Sequence, residues 1–439
     1  MADFWMELGL LLQAEIAQRR QEGCDVTALA EKLKGLGNHP AQADLEALFD
    51  KLQALKPRND FPYEEPSDLE SIRAARPDGP RRFEVAFAEP ELHDRIWGAW
   101  LGRCAGCLLG KPVEGWLKEQ IEGYLKLADL YPLTNYVPYL VPHPPEYLLH
   151  PSALEATRGH IEGMARDDDL DYTIMGLHTL EEHGLDFATG DVAAEWVTHF
   201  PYELVYTAER VAYRNLANGL APPRSAFYRN PYREWIGAQI RADAWGYVSP
   251  GWPERAAELA FRDAALSHVK NGIYGEMWVA AMLAATFVED DIREVVKIGL
   301  SEIPSNCRLA QAVHQVLSWS EECSTWEEAW ERVAERYGEY HRVHTINNAC
   351  LVLLGLLYGE GDFERAISIA VMGGWDTDCN GATTGSIMGA LLGARALPEK
   401  WVAPLRDRLK SIITGFTECA ISDLARRTLA VAKENLSSD

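Results

Sequence analysis

Apolar residues recur at steps of three and four positions through most of the chain, the spacing of one face of an α-helix. The amino-terminal segment has this pattern twice, from Leu8 to Ile16 and from Leu29 to Leu36. Beyond residue 83 the same spacing predicts helices at 171–183, 253–266, 275–289, 308–319, 326–337, 348–358, 363–372 and 402–414. Strand-like alternation is scarce. The pattern therefore predicts an all-α fold.

Two segments interrupt the helical pattern. Between residues 56 and 82, five prolines and the acidic pair Glu64–Glu65 indicate an extended linker on the surface. We therefore divide the chain into a helical extension with its linker, residues 1–82, and a main domain, residues 83–439. Between Tyr131 and Pro151, six prolines and four tyrosines predict a long surface loop whose aromatic residues could border a pocket.

The composition is that of a globular protein and argues against several classes of partner. The chain is 47% hydrophobic, and 42 basic residues against 66 acidic ones give a formal net charge of −24, which would repel nucleic acid. No apolar run reaches the roughly 18 to 20 residues of a membrane span, and we find no export signal at the amino terminus. Eight scattered cysteines form no disulfide framework. We expect a reducing, cytoplasmic location.

Two glycine ladders predict a close crossing of helices. Glycines stand four residues apart at positions 98, 102, 106 and 110, and again at 381, 385, 389 and 393. Each internal helical glycine costs roughly 0.5 to 1 kcal/mol relative to alanine, so the ladders need an offsetting gain from tight packing. A crossing would bring Glu114, just after the first ladder, beside residues 375–378, just before the second. Cys104 and Cys107, a C-x-x-C pair on the first ladder, are interpreted as small core residues.

Carboxylates cluster at two places. Three aspartates run together at 167–169, before an amphipathic helix that also contains Asp171, while Asp376 and Asp378 stand two apart. Helix capping accounts for one or two of the first four, and such D-x-D turns are also frequent on plain surfaces. An enclosed run of carboxylates is stabilised most simply by a divalent cation, and hard oxygen ligands suit Mg²⁺, Mn²⁺ or Ca²⁺.

Together these segments resemble the signature segments of the ADP-ribosylglycohydrolase family. The matching runs are LGRCAGCLLGKPVE at 101–114, DDD at 167–169 and GGWDTDCNGATTGSIMGALLG at 373–393. Further runs at 237–251, 266–285 and 344–357 fit the same family. The resemblance implies an all-helical domain with two Mg²⁺ ions, or Mn²⁺ in their place, in an acidic cleft. The implied reaction hydrolyses the bond between C1 of the distal ribose of ADP-ribose and an acceptor atom.

The resemblance also implies roles for individual residues. Glu114 stands where the family has a glutamate implicated in catalysis. The implied metal ligands are Asp167, Asp168, Asp169, Asp376 and Asp378. The register of the first three stays open, because an ungapped alignment through the following helix would put Asp171 in that place. Cys379 replaces a threonine and Cys107 an aspartate, and a neutral thiol is a poor Mg²⁺ ligand, so we expect one metal to be held less tightly.

Three further residues are candidates for substrate binding. Arg241 could pair bidentately with a diphosphate, or form a salt bridge on a helix surface. His268 could donate to a phosphate, or be a helix-terminal histidine satisfied by the backbone. Trp375 could stack on a sugar or base, or belong to the core. His344 and Asn347 are interpreted as structural.

These observations predict a cytoplasmic, Mg²⁺-dependent hydrolase that acts on an ADP-ribosylated protein or a small ribosylated substrate. Glu114 would be the general base or a sugar-positioning group. One alternative is a small-molecule N- or O-ribosidase on the same scaffold. Another is a non-catalytic binding or structural protein, similar in this respect to the lens crystallins related to this family. A two-metal phosphodiesterase is disfavoured because none of the 12 histidines lies within either acidic motif.

Overall fold

The fold is dominated by α-helix. The computed structural model describes residues 6–37, 40–84 and 86–437, and 62% of it is helical, which confirms the predicted all-α class. In these residues the sheet structure is one antiparallel pair, β1 (Leu409–Lys410) and β2 (Glu418–Cys419). Each helix in the described ranges is too short or too polar to cross a lipid bilayer.

Many of the helices are joined by short connections, and the longest connection in the described ranges, residues 128–167, lies between α6 and α7. In chain order they are α1 (Leu8–Gln21), α2 (Thr27–Gly35), α3 (Gln42–Gln53), α4 (Leu69–Ala75), α5 (Glu89–Gly110), α6 (Lys118–Leu127), α7 (Asp168–His183), α8 (Thr189–His199), α9 (Thr207–Ala217), α10 (Arg224–Phe227), α11 (Asp243–Tyr247), α12 (Pro253–Ala264), α13 (Asn271–Thr286), α14 (Ile292–Leu300), α15 (Arg308–Glu322), α16 (Trp326–Tyr337), α17 (Thr345–Gly359), α18 (Phe363–Met372), α19 (Thr377–Leu392), α20 (Glu399–Val402) and α21 (Ile421–Ser437).

The predicted helices of the main domain are confirmed to within a few residues at their ends, with one exception. The helix predicted at 402–414 is wrong, since this segment holds a single 3₁₀ turn (Ala403–Leu405) followed by β1. Arg406 and Asp407 there adopt left-handed φ angles of 50° and 52°. An α-helix cannot continue through that conformation.

The two glycine ladders lie against each other where α5 and α19 cross. The facing pairs are Gly98 with Gly389, Gly102 with Gly385, and Gly106 with Gly381. A Cβ atom on Gly106 would lie 1.9 Å from the carbonyl oxygen of Gly381, so the predicted close approach is confirmed. Successive pairs move forward along α5 and backward along α19, so the two helices are antiparallel. The end of α5 therefore meets the start of α19. At that point the Thr377 hydroxyl donates to the carbonyl of Gly110 at 2.8 Å.

The amino-terminal extension packs against the main domain through a hydrophobic cluster of its own. This cluster contains Leu11, Leu12, Leu48, Phe49 and Leu52 from the extension, together with Ala208, Val211, Tyr232 and Trp235. At its edge the buried guanidinium of Arg233 contacts Glu15 at 2.7 Å and Glu22 at 2.8 Å. The linker is less extended and less exposed than expected, because it includes α4 and a buried carboxylate. Oε2 of Glu65 lies 2.8 Å from a terminal nitrogen of Arg308. The boundary at residue 82 stays a prediction.

Candidate functional site

The acidic residues from the three sequence motifs line one cavity of about 220 Å³. Glu114 follows the 3₁₀ turn that comes after α5, and Asp167 is the N-cap residue of α7. Asp376 precedes α19, and Asp378 lies in its first turn. Because the ladders hold α5 against α19, these separate chain segments converge. Asp168 and Asp169 line the same cavity.

The carboxylates approach one another closely enough to share a cation. One oxygen from each of Glu114, Asp376 and Asp378 lies within 4.8 Å of the others. Asp169 and Asp378 form a second such group with the Cys379 sulfur. The buried Oδ1 of Asp378 has no hydrogen-bond partner among the described residues, and such an atom is costly unless a ligand satisfies it. This donor set, mainly oxygen, fits a divalent ion such as Mg²⁺ or Mn²⁺.

Burial and mutual repulsion oppose ionisation of these acids. Glu114 lies at the cavity mouth with 36% of its side chain exposed. Its enclosure by neighbouring groups, followed by the charges of Asp376 and Asp167, raises its pKa to about 8. Burial and the neighbouring carboxylates raise the pKa values of Asp376 and Asp378 well above their ordinary range. A bound cation would favour the charged forms and lower these pKa values.

Two basic residues hold the acids at the start of α7. The Lys111 ammonium pairs with Oδ2 of Asp167. Burial raises the Asp167 pKa, but the charge and hydrogen bond of Lys111, the charge of Arg166 and the backbone amide of Asp169 together keep this pKa below its ordinary value. Arg103 donates to Oδ1 of Asp169 at 3.1 Å, and the Cys379 thiol donates to Oδ2 at 3.3 Å. Neither basic residue was predicted as part of the site. Their only sequence signal was their position in the first glycine-rich segment.

Asp171, the alternative in the open register, lies outside this cavity. Its Oδ2 accepts a hydrogen bond from Arg166 at 2.8 Å, and its Oδ1 accepts one from the backbone amide of Ile412 at 3.1 Å. Both oxygens are therefore engaged in joining α7 to the segment that contains β1. The geometry favours residues 167–169 over Asp171, and the ligand role of each stays a prediction.

Arg241 does not line the cavity, and its salt bridges are buried instead of lying on a helix surface. Its side chain is buried, with one terminal nitrogen 2.7 Å from Oε1 of Glu209 and its Nε 2.5 Å from Oδ2 of Asp263. Glu209 lines the cavity and separates the guanidinium from it. Arg241 is thus neither on a surface nor free for a diphosphate, because neighbouring acids already neutralise its charge.

The other two candidates for substrate binding are also buried outside the cavity lining. His268 has its Nδ1 2.8 Å from the Ser267 hydroxyl, and burial lowers its pKa well below the ordinary value. Trp375 has a φ of 63°, and its backbone amide donates to the carbonyl of Trp116 at 2.8 Å. In this geometry Trp375 shapes the turn before Asp376, and it is not among the residues that line the cavity.

Other residues around the cavity were not predicted. His150, from the proline- and tyrosine-rich loop, places its Nε2 3.6 Å from Oε2 of Glu114. The loop thus borders the pocket through a histidine, and its four tyrosines are not part of the lining. Trp235, Ile236 and Val343 form an apolar wall. An acidic floor with an apolar wall is suited to a ligand with a sugar and a less polar group.

Comparisons with known proteins agree with this arrangement. The sequence profile of a family described as ADP-ribosylglycohydrolase matches residues 88–436. A solved structure described as "ADP-ribosylglycohydrolase-related protein complex" superposes with a TM-score of 0.51, at 21% identity, over 78% of this chain and 99% of that chain. At that identity the likeness concerns the fold alone. No curated protein sequence matches the chain.

Proposed function

Since the chain belongs to the ADP-ribosylglycohydrolase family, we propose that it hydrolyses the ribosidic bond of an ADP-ribosylated substrate in the cavity between α5, α7 and α19. The family membership makes it a glycohydrolase in general terms. One observation carries the finer proposal. Oxygens of Glu114, Asp376 and Asp378 meet within 4.8 Å at the crossing of the glycine ladders.

The proposed enzyme uses two Mg²⁺ ions, and Mn²⁺ can replace them. Asp376 and Asp378 would hold one ion beside Glu114, and the 167–169 acids with Asp378 would hold the other. When bound, the ions supply positive charge that orients the ribose hydroxyls and activates water. The thiol of Cys379 lies among the second group of ligands, which supports weaker binding of that ion.

The chain's own side chains have distinct tasks in this reaction. A ribosidic bond breaks through an oxocarbenium-like transition state, so a negative surface beside the sugar ring stabilises the charge that develops. Glu114 lies at the open edge of the acids, where its carboxylate takes a proton from the attacking water or holds a ribose hydroxyl. The His150 ring lies beside that carboxylate, with its Nε2 3.6 Å from Oε2 of Glu114. Lys111 holds Asp167 in its charged form.

A small-molecule N- or O-ribosidase is the second candidate, and the size of the cavity favours it. At about 220 Å³ the cavity is smaller than the roughly 300 to 1,000 Å³ of typical ligand pockets. A ribose with a small leaving group would therefore fill it. A non-catalytic, crystallin-like role is disfavoured, because such a protein would have no need of the full set of buried acids and Glu114.

We also propose a cytoplasmic location, with neither a membrane nor a nucleic acid as partner. All eight cysteines are free thiols, and seven of them, including Cys104 and Cys107, are buried. Such a set is suited to a reducing compartment. The formal net charge of −24 opposes contact with a phosphate backbone.

Release of sugar products tests the proposal and separates its two candidates. The protein is incubated with Mg²⁺ and either ADP-ribosylated proteins or small ribosides, and ADP-ribose and free ribose are quantified. Glu114→Gln and Asp378→Asn should each reduce release by about 100-fold or more, while Asp290→Asn, at an exposed position, should leave it unchanged. Release that survives both site variants contradicts the proposed roles. Metal binding without release from any riboside favours the binding protein.

A further inference from the structure

A second cluster of metal-ligating side chains lies between α7 and α8. The Nε2 atom of His178 lies 3.0 Å from Oε2 of Glu195, and the Nε2 atom of His199 lies 3.2 Å from the same oxygen. Three ligand atoms, one from each residue, lie within 4.8 Å of one another. His178 follows Asp168 by ten residues on α7, which is about 15 Å of helix. This cluster is therefore separate from the acidic cavity.

We propose that His178, Glu195 and His199 bind a zinc ion that fastens α7 to α8. Imidazole nitrogens with one carboxylate oxygen suit Zn²⁺, whereas the oxygen-rich cavity suits Mg²⁺. With bonds of roughly 2.0 to 2.1 Å, ligand atoms at the corners of a tetrahedral zinc site lie about 3.3 Å apart. The two contacts to Glu195, at 3.0 and 3.2 Å, are close to that separation.

The hydrogen bonding of His199 supports a cation in this position. Its Nδ1 lies 3.3 Å from the carbonyl oxygen of Thr414, and a carbonyl can only accept, so Nδ1 carries the ring proton. In the neutral ring, Nε2 then bears a lone pair. That lone pair lies 3.2 Å from a carboxylate oxygen. The two atoms repel each other unless a cation or a second ring proton lies between them.

The remaining contacts are those that hold metal ligands in place. His183 donates from Nε2 to the other oxygen of Glu195 at 2.8 Å, which fixes the direction of the carboxylate. The bond from His199 to Thr414 fixes its tautomer in the same way. Phe416 packs against the ring of His178 at 5.3 Å between centroids. Three protein ligands leave the fourth tetrahedral position for water.

A zinc ion at this cluster would hold α7 and α8 together. The cavity acids 167–169 lie at the amino-terminal end of α7, and the zinc cluster joins the later turns of the same helix to α8. A zinc ion would stabilise the folded state by binding it in preference to the unfolded chain. This role does not depend on the hydrolase proposal.

Zinc uptake by the full chain tests the inference. The protein is dialysed against Zn²⁺, its metal content is measured, and Co²⁺ is used as a probe because a tetrahedral site gives it strong visible absorption. We expect His178→Gln/His199→Gln to bind one equivalent less than wild type and to lose that absorption. The control His314→Gln, exposed on α15, should keep both. Asp378→Asn should keep the absorption, since the acidic cavity is a separate site.

Two uptake results would overturn the zinc assignment. One is equal uptake by wild type and the double variant, and the other is a folded wild type that takes up no zinc. If the double variant folds poorly, the Glu195→Gln variant is used in its place. In that case the X-ray absorption spectrum of zinc-loaded wild type must also show scattering from imidazole ligands. Thermal unfolding adds a further readout, because zinc should raise the Tm of wild type and not that of the variants. The absence of a zinc-dependent shift in wild type would overturn the assignment as well.

Discussion

Gly102 of α5 and Gly385 of α19 face each other so closely that a Cβ atom on either would lie 2.0 or 2.1 Å from the carbonyl oxygen of the other. This contact fixes how far the two helices can slide along each other. It thereby sets the position of the turn after α5 relative to the turn before α19. There the amide of Gly115 donates to the carbonyl of Trp375 at 2.8 Å, and Glu114 comes to lie beside Asp376.

Gly102→Ala should lower the free energy of unfolding by about 3 kcal/mol, because the added methyl group meets backbone that cannot move aside. Urea denaturation followed by circular dichroism measures the loss. Gly190→Ala is the matched control. Gly190 lies on α8 with no atom within 4 Å of its added Cβ, and its replacement should be neutral or slightly stabilising. Equal losses for the two variants would contradict the ladder as the reason for the glycines.

Lys111→Met should destabilise the metal-free protein by about 3 kcal/mol, because Asp167 is left as a buried carboxylate without its partner. Saturating Mg²⁺ should recover part of this loss, since a cation at the acids replaces the missing charge. Denaturation in EDTA and in Mg²⁺ measures both quantities. The exposed Lys126→Met serves as control and should show neither effect. A loss that Mg²⁺ leaves unchanged would argue against a metal beside Asp167.

Cys379→Thr should tighten Mn²⁺ binding by about 10-fold, because a hydroxyl oxygen is a better ligand for a hard cation than a neutral thiol. Cys379→Val has nearly the same shape without the hydroxyl and should bind no better than wild type. Isothermal titration with Mn²⁺ compares the three proteins. If the threonine and valine variants bind alike, position 379 does not contact the ion.

The unfolding free energy should fall as the pH drops below about 6.5, and His344 should account for part of this fall. Burial lowers the pKa of His344 to about 3, and its buried Nε2 has no partner among the described residues. The unfolded state therefore binds a proton in this range that the folded state does not. At pH 5 the contribution is about 2 kcal/mol.

His344→Asn should reduce that pH dependence, since asparagine can replace the Nδ1 acceptor that caps the Ile346 amide. Urea denaturation at pH 7.5 and at pH 5 gives the difference for each protein. The exposed His314→Gln should keep the wild-type difference. An unchanged difference in His344→Asn would mean that other groups carry the acid sensitivity.

Much of the site was visible in the sequence because its signals are local. The ladder at 98–110 predicted a backbone contact that was then found, and Glu114, Asp376 and Asp378 were expected to meet at its end. The four-residue spacing of the glycines and the two-residue spacing of Asp376 and Asp378 can each be recognised from a short stretch of sequence. The helix predicted at 402–414 was wrong for the converse reason, since left-handed residues at 406 and 407 ended a pattern that periodicity alone would continue.

The sequence by itself determined the helical class, the two ladders and those cavity acids that belong to the three motifs. Only the tertiary structure decided that Lys111 pairs with Asp167, that Arg241 is buried among acids, and that His178 and His199 meet at Glu195. These contacts depend on how far each helix is rotated about its axis and which helices become neighbours. That arrangement follows from the packing of the whole core, and no short stretch of sequence encodes it.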